Sequence, residues 1–319
     1  MDNQDVSVIV VTVSVDDALE KCLASLARQT LQPTKVYLVL NGCVDDECRL
    51  ENWNKILPLE MIVEIRNSGF CAPHNLVLLK VSTAWVALLN ADARAEADWL
   101  EEMLKTAGKS YDIGMVACSV LKASDPAIVE SQGLTPSRSG MAYLRNWGVQ
   151  YREDSEREVF APAGAGALYK TEMLREIGFY WDDFFAYYED LDLGWRARAA
   201  GWRCVLSPRA RVHHKSGSLQ SSINVDKIAL LAGNRLLTIV RNWSFKTIFR
   251  NLPYIIVLDL LALLKAVQEG KFVSAVKGRL RFLKLLPRAL GTRKRVMDFH
   301  EVENHLCDDI RFIKARGFL

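Results

Sequence analysis

Apolar and polar residues along the first hundred positions alternate between two rhythms. Val6-Ser7-Val8-Ile9-Val10-Val11 is an almost continuous β-branched run, the pattern of a strand buried on both faces of a parallel sheet. Residues 16–29 then place Leu19, Cys22, Leu23 and Leu26 on one helical face. A second buried strand follows at Val36-Tyr37-Leu38-Val39-Leu40, closed by Asn41-Gly42, with further strands at Met61–Ile65 and Trp85–Leu89. Asp98-Trp99-Leu100-Glu101 has the acid-x-x-Glu form of a helix start, with Leu100, Leu104 and Ala107 apolar behind it. Strands and helices alternating at this spacing predict an α/β fold built on a parallel sheet.

The middle of the chain is less regular. Residues 122–158 are polar and contain Gly, Ser and Arg, and predict a long excursion over the sheet with few packed elements. Order returns at Gly164-Ala165-Gly166-Ala167-Leu168. A helix over 171–177 follows, stopped by Gly178, and another runs from Glu189 to Gly201. Beyond Ser222 the pattern is mostly helical, which divides the chain into residues 1–222 and a C-terminal region, 223–319.

Composition narrows the class. Half of the 319 residues are hydrophobic and a quarter are charged, which excludes disordered, collagenous and coiled-coil chains. The seven cysteines include no CxxC pair, so reduced thiols are expected rather than a zinc site or a disulfide framework. The acidic N-terminus lacks the basic and apolar regions of a signal peptide, and a cytoplasmic location is expected. Charge is uneven. Residues 241–295 hold 13 Lys and Arg against Asp259 and Glu269, a net +11 that leaves −8 for the rest of a chain whose total is +3. An anionic surface is the partner this suggests, with nucleic acid not among the expected ones. The apolar run from Leu252 to Leu264, broken by Asp259, is shorter than the ~20 residues of a spanning helix and reads as a core or interfacial helix.

Candidate chemistry begins with absences. No GxGxxG follows the first strand, and neither GxxxxGK[ST] nor GxSxG occurs. A ligand at the strand ends must therefore be met by carboxylates. Asn90-Ala91-Asp92 lies at the carboxyl edge of a buried strand, where one carboxylate suits Mg²⁺ or Mn²⁺ completed by phosphate oxygens; a plain polar turn is the alternative. Glu189-Asp190-Leu191-Asp192 sets three acids at a helix start, where the macrodipole favours ionised forms and a general base could stand. Acids are also simply favoured in first turns, but the neighbouring Phe184-Phe185-Ala186-Tyr187-Tyr188 adds a semi-enclosed pocket with rings to stack on a sugar. His213-His214 offers a further metal ligand or an ordinary loop pair.

Five segments now carry a resemblance. Val8–Thr12, Arg66-Asn67-Ser68-Gly69-Phe70, Leu88–Asp92, Gly164–Leu168 and Phe184–Arg196 occur in an order that, with Gly201-Trp202, Pro208 and the His pair, resembles the family 2 glycosyltransferases of GT-A fold. The rhamnosyltransferase-like branch is the nearest in pattern. The likeness runs from Val6 to about Ser218. It implies an inverting, metal-dependent transfer from a nucleoside-diphosphate sugar, dTDP- or UDP-linked, to a polysaccharide or lipid-linked glycan acceptor.

By that resemblance Asp92 is the principal metal ligand, with His214 or His213 as the late one, and Asp190 is the base beside Glu189. Thr12, Asn41, Asn67, Gly69, Asn75, Asn90, Gly164, Ala165, Gly166 and Trp181 would lie against the donor. Two departures leave the nucleotide open and motivate the alternative of a non-catalytic scaffold subunit: Leu40-Asn41-Gly42-Cys43 replaces Asp-Asn-Gly-Ser, and Val13-Ser14 replaces Tyr-Asn. Pro73 also replaces a common Gly. The basic C-terminal region, with Leu252, Ile255, Ile256, Leu260 and Leu263 near helical spacing, is expected to lie on an anionic membrane at the inner face of the plasma membrane, or else to pack on the rest of the chain or on a second copy.

Overall fold

The structure is a computed structural model and describes residues 5–153, 155–215, 226–293 and 304–309. The first half follows the alternation in the sequence: β1 (Val6–Thr12), α1 (Asp17–Ala27), β2 (Lys35–Asn41), β3 (Leu59–Glu64), α2 (Cys71–Leu78), β4 (Trp85–Leu89), β5 (Ala93–Ala95) and α3 (Trp99–Ala107). Asp16 caps α1 by accepting from the N–H groups of Ala18 and Leu19 at 2.9 and 3.2 Å. Helix α3 starts where the sequence predicts, yet the Asp98 side chain makes no capping bond.

Then come β6 (Ile113–Lys122), β7 (Asp125–Ser131), β8 (Leu134–Pro136), β9 (Ala142–Leu144), β10 (Arg157–Val159), β11 (Gly166–Lys170), α4 (Thr171–Ile177), α5 (Glu189–Ala199) and β12 (Arg203–His214). Three helices follow: α6 (Lys227–Asn242), α7 (Phe245–Gln268) and α8 (Phe272–Gly291). Segment 122–158 is thus more ordered than its polarity predicts. Strand β7 pairs antiparallel with β6, and β8 and β9 form a separate hairpin. The outer half of β7 is exposed, so its apolar signal is weak.

Among the described residues ten strands form one sheet, with the path β10-β12-β6-β11-β4-β1-β2-β3. Pairings β1–β2, β1–β4, β2–β3 and β6–β12 are parallel, while β11 runs antiparallel between β4 and β6. Successive β1 side chains point to opposite faces. Val8 and Val10 join Leu19, Leu23 and Trp99 on one side, and Ile9 joins Val77, Met173 and Leu193 on the other. That two-sided burial explains the unbroken apolar run.

The C-terminal helices share this core. Leu237 of α6 and Ala289 of α8 belong to the cluster formed by α2, α4 and α5. The division expected between 222 and 223, like Lys294 and Arg295, lies outside the described residues. Helix α7 is longer than its central apolar run: 24 residues, with a mean hydropathy of 1.7 over a window only 17% buried. By length and composition it could cross a membrane. Asp259 holds it down instead, bonded by Arg235 of α6 at 2.6 Å and Arg279 of α8 at 2.9 Å. Crossing would carry those charges into hydrocarbon or break both pairs.

Candidate active site

The carboxyl ends of β1, β2 and β4 open into a cleft lined by Thr12, Ser14, Asp16, Asn41, Gly69, Phe70, His74, Asn90 and Asp92 among others. This is the edge where open α/β sheets bind ligands. Its far wall is built by side chains that bond one another. The Asn41 amide donates to the carbonyl of Gly69 (2.8 Å) and to Asn67 Oδ1 (3.2 Å), while Asn41 Oδ1 accepts from the Ser68 N–H. Asn67 Oδ1 also accepts from the Gly69 N–H at 2.9 Å. Asn41 and Asn67 therefore shape the cleft, with these polar groups committed to the wall.

At the opposite end, β5 pairs with β12 so that His214 faces Ala93 and comes beside Asp92. His214 Nε2 lies 3.1 Å from Asp92 Oδ1 and 3.3 Å from Asn90 Nδ2, and its Nδ1 is 2.9 Å from Glu130 Oε1 on β7. Adjacent ligands ~2.1 Å from an octahedral cation stand roughly 3.0 Å apart, so Asp92 and His214 fit as a pair of ligands to Mg²⁺ or Mn²⁺. Glu130 would orient the ring from its other nitrogen. Among the described residues no group of three or more such side chains is disposed to hold a metal ion. Two protein ligands suffice where phosphate oxygens complete the shell. Burial pulls the His214 imidazole down, but hydrogen bonds and charge from Asp92 and Glu130 outweigh it and raise the pKa to about 9. A cation held there would take the place of the Nε2 proton. His213, by contrast, faces Glu96, with its Nε2 2.9 Å from Glu96 Oε1.

The three acids of α5 have separate fates. Asp192 is fully buried and receives Arg196 Nε and Arg241 Nε, both at 2.9 Å, and Asn242 Nδ2 at 2.8 Å. Burial alone would raise its carboxyl. The two guanidinium charges and the hydrogen bonds hold it at about 2 instead. It ties α5 to α6. Glu189, only 7% exposed, has an Oε2 with no hydrogen-bond partner, and burial followed by the charges of Asp190 and Asp192 pushes its carboxyl well up.

Asp190 is half-buried. Burial raises it to about 6 against the N–H groups of Leu191 and Gly164, which favour the carboxylate. The same segment reaches Asn90, whose N–H donates to the Ala165 carbonyl at 3.2 Å. A short backbone path thus joins Asp190 to the Asp92–His214 end of the cleft.

Three expected donor contacts are elsewhere. Asn75 donates to the Tyr180 carbonyl and to Asp182 Oδ1, and accepts from the Tyr180 N–H, pinning α2 to the 180–182 segment. Trp181 is buried against Phe184 and beneath the Arg241 guanidinium, 4.4 Å from its ring centre. Gly166 is a packing glycine within the sheet, where a Cβ would come 2.9 Å from Cys118 Sγ. Glu130 and His74 carry no distinguishing pattern in the sequence, and Glu130 lies in a strand whose outer half is exposed. The His74 ring stacks on Phe70 (4.0 Å) and its Nδ1 donates to the Phe70 carbonyl at 2.6 Å. Burial lowers it to about 4 despite that bond, so a neutral ring faces the cleft.

The family profile described as "Glycosyltransferase like family 2" matches residues 3–225. The chain belongs to glycosyltransferase family 2. It is 27% identical over 238 residues to the N-acetylglucosaminyl-diphospho-decaprenol L-rhamnosyltransferase of Mycobacterium tuberculosis, covering 66% of this chain and 76% of that one. The rhamnosyltransferase-like pattern is thereby borne out. Among solved structures, GalNAc-T7 with UDP, GalNAc and Mn²⁺ superposes with a TM-score of 0.62 at 13% identity, over 91% of this chain and 58% of that one. Staphylococcus aureus TarS 1–349 with UDP-GlcNAc gives 0.54 at 14% identity, over 90% and 91%. These likenesses show the expected GT-A fold. The protein is a glycosyltransferase.

Proposed function

We propose that this glycosyltransferase inverts the anomeric centre while moving a sugar from a dTDP- or UDP-sugar to a hydroxyl of a lipid-linked glycan. Asp190 carries the reading: a half-buried carboxylate with a pKa of about 6, bonded through Gly164 to the segment that reaches Asn90. As the acceptor oxygen bonds to the anomeric carbon, its proton passes to Asp190, and the bond from that carbon to the nucleoside diphosphate breaks. Asp92 and His214 would hold Mg²⁺ or Mn²⁺, which supplies charge neutralisation for the departing diphosphate. The likeness to an enzyme named for a decaprenol-diphosphate acceptor supports the lipid-linked class. A scaffold subunit would need neither the base nor the ligand pair.

Asp190→Asn tests the reading. The amide is nearly isosteric and cannot take the proton, so transfer should fall ~10²–10⁴-fold with UDP or dTDP binding retained. A parent-like rate rejects the assignment.

Such an acceptor is met at a membrane, and the C-terminal helices supply a surface for it. Phe249, Ile256, Val257, Leu260 and Leu264 of α7 and Val273 of α8 are all exposed. Ile255 turns inward into the core, so the apolar stripe in the sequence is split between two faces. With the surrounding Lys and Arg, that surface suits peripheral attachment at the cytoplasmic face of an anionic bilayer. Co-sedimentation with anionic vesicles should weaken with salt and fall for Phe249→Glu/Leu260→Glu. Full recovery in the supernatant with anionic vesicles would reject membrane attachment.

A further inference from the structure

The turn that delivers Asp190 is conformationally costly. Phe185, Tyr187 and Tyr188 have φ of 65°, 70° and 73°, in the left-handed region that bulky residues avoid. Such a run persists only where its surroundings determine it, and two sets of contacts do so here. From the donor side, the Phe185 carbonyl accepts from the N–H groups of Phe70 (2.6 Å) and Cys71 (3.2 Å), beside Gly69, where a Cβ would come within 2.4 Å of that oxygen.

The other set comes from the C-terminal helices. Asn234 of α6 is fully buried, and its Nδ2 lies 3.0, 2.8 and 2.8 Å from the carbonyl oxygens of Phe184, Ala186 and Tyr187. Carbonyls only accept, so the amide orientation is fixed. Its Oδ1 in turn accepts from Arg281 Nη1 of α8 at 2.6 Å, and Arg281 Nη2 donates to the Asp183 carbonyl. Arg288, one helical stretch further on, pairs with the Asp183 carboxylate at 2.9 Å. A close helix crossing brings these groups to the turn. A Cβ on Gly233 would meet the Gly278 carbonyl at 2.7 Å, and one on Gly278 the Ala229 carbonyl at 2.5 Å.

We propose that Asn234, braced by Arg281, is a positioning residue for sugar transfer: it sets the 184–188 turn and so the direction in which Asp190 meets the acceptor hydroxyl. The inference rests on reading Asp190 as the base. Helices outside the sheet thereby belong to the transfer machinery, although none of their residues touches the reacting atoms. The donor cleft, built at the ends of β1, β2 and β4, does not depend on Asn234 directly.

Asn234→Asp is the informative variant. It keeps the volume and the Arg281 partner but turns an acceptor toward three carbonyls. Two quantities are read, well below the melting temperature: hydrogen exchange of the 185–191 amides, and steady-state transfer from UDP- or dTDP-sugars to a polyprenyl-diphosphate glycan. Exchange in the turn should quicken, and kcat should fall ~10–100-fold, as misplacement of a reacting group by about 1 Å does. The donor KM and the binding of UDP with Mn²⁺ should stay within about twofold of the parent. A kcat within twofold of the parent overturns the proposal, whether or not exchange changes, because the contact is then only structural.

Asp190→Asn, measured alongside, separates the two ideas. A parent-like rate there rejects the choice of base, whereas an inactive Asp190→Asn with a parent-like Asn234→Asp rejects only the positioning role. If Asn234→Asp does not fold, Arg281→Gln reads the same quantities, since it releases Asn234 Oδ1 and the Asp183 carbonyl without disturbing the glycine crossing.

Discussion

Replacing Asp192 with Asn removes one negative charge from beneath two guanidinium groups. Asp192 is fully buried, and Arg196 and Arg241 each approach it at 2.9 Å, with Arg241 itself only 7% exposed. Taking one partner from a buried ion pair costs about 3–5 kcal/mol, because the charge left behind has neither water nor counter-ion. At about 2–4 °C per kcal/mol for a large domain, Tm should fall by roughly 6–20 °C at pH 7.

Acid supplies an internal control. The Asp192 pKa of about 2 lies below the ordinary ~3.9, so the unfolded chain binds the proton more tightly. Its contribution is complete above pH ~4 and is lost as pH falls toward 2, an effect worth about 2–3 kcal/mol. The Tm gap between parent and Asp192→Asn, followed by circular dichroism, should therefore narrow between pH 7 and pH 3. A gap under about 2 °C at pH 7, or one that widens in acid, refutes the linchpin role.

Three further outcomes are expected. With Asp190 at about 6 in the free protein, kcat/KM should rise through a midpoint near pH 6 as the carboxylate forms, and a flat profile from pH 5 to 7 would count against it as base. Gly69→Ala should lower both Tm and transfer, since a Cβ there meets the Phe185 carbonyl and φ is +88°; unchanged melting would mean the turn yields easily. Asp92→Ala should abolish the Mn²⁺-dependent part of UDP binding in calorimetry, with the metal-independent part unchanged, and equal affinities with and without Mn²⁺ in both proteins would remove Asp92 from the site.

The sheet was legible because burial on both faces leaves unbroken β-branched runs, as at β1 and β2, with helices of regular period between them. Segment 122–158 was not, because β7 exposes its outer residues and is fixed by partners remote in sequence. The same division holds within the site. Asp92 and Asp190 were marked by their places at a strand end and a helix start. Locally only Arg196, one helical turn on, separates Asp192 from Asp190, two residues before it. The rest of that difference is made by Arg241 and Asn242, about fifty residues downstream. Asn75, Gly166 and Trp181 fit the family pattern by position, but their partners (Tyr180, Cys118 and Arg241) make them parts of the frame.

The grip of α6 and α8 on the catalytic turn also sets an order of events during synthesis. The last strand ends at His214, so the sheet leaves the ribosome while Asn234 and Arg281 are still to come. At ~5–20 residues per second, the turn waits roughly 3–13 s for Arg281. Over that interval the 184–188 turn lacks its contacts from Asn234 and Arg281, and Asp192 lacks Arg241 and Asn242. Chains stalled between His214 and Arg281 are therefore expected to transfer more slowly than the finished chain and to be cut more readily by protease at the turn. The final helices would then complete the fold and the transfer step together.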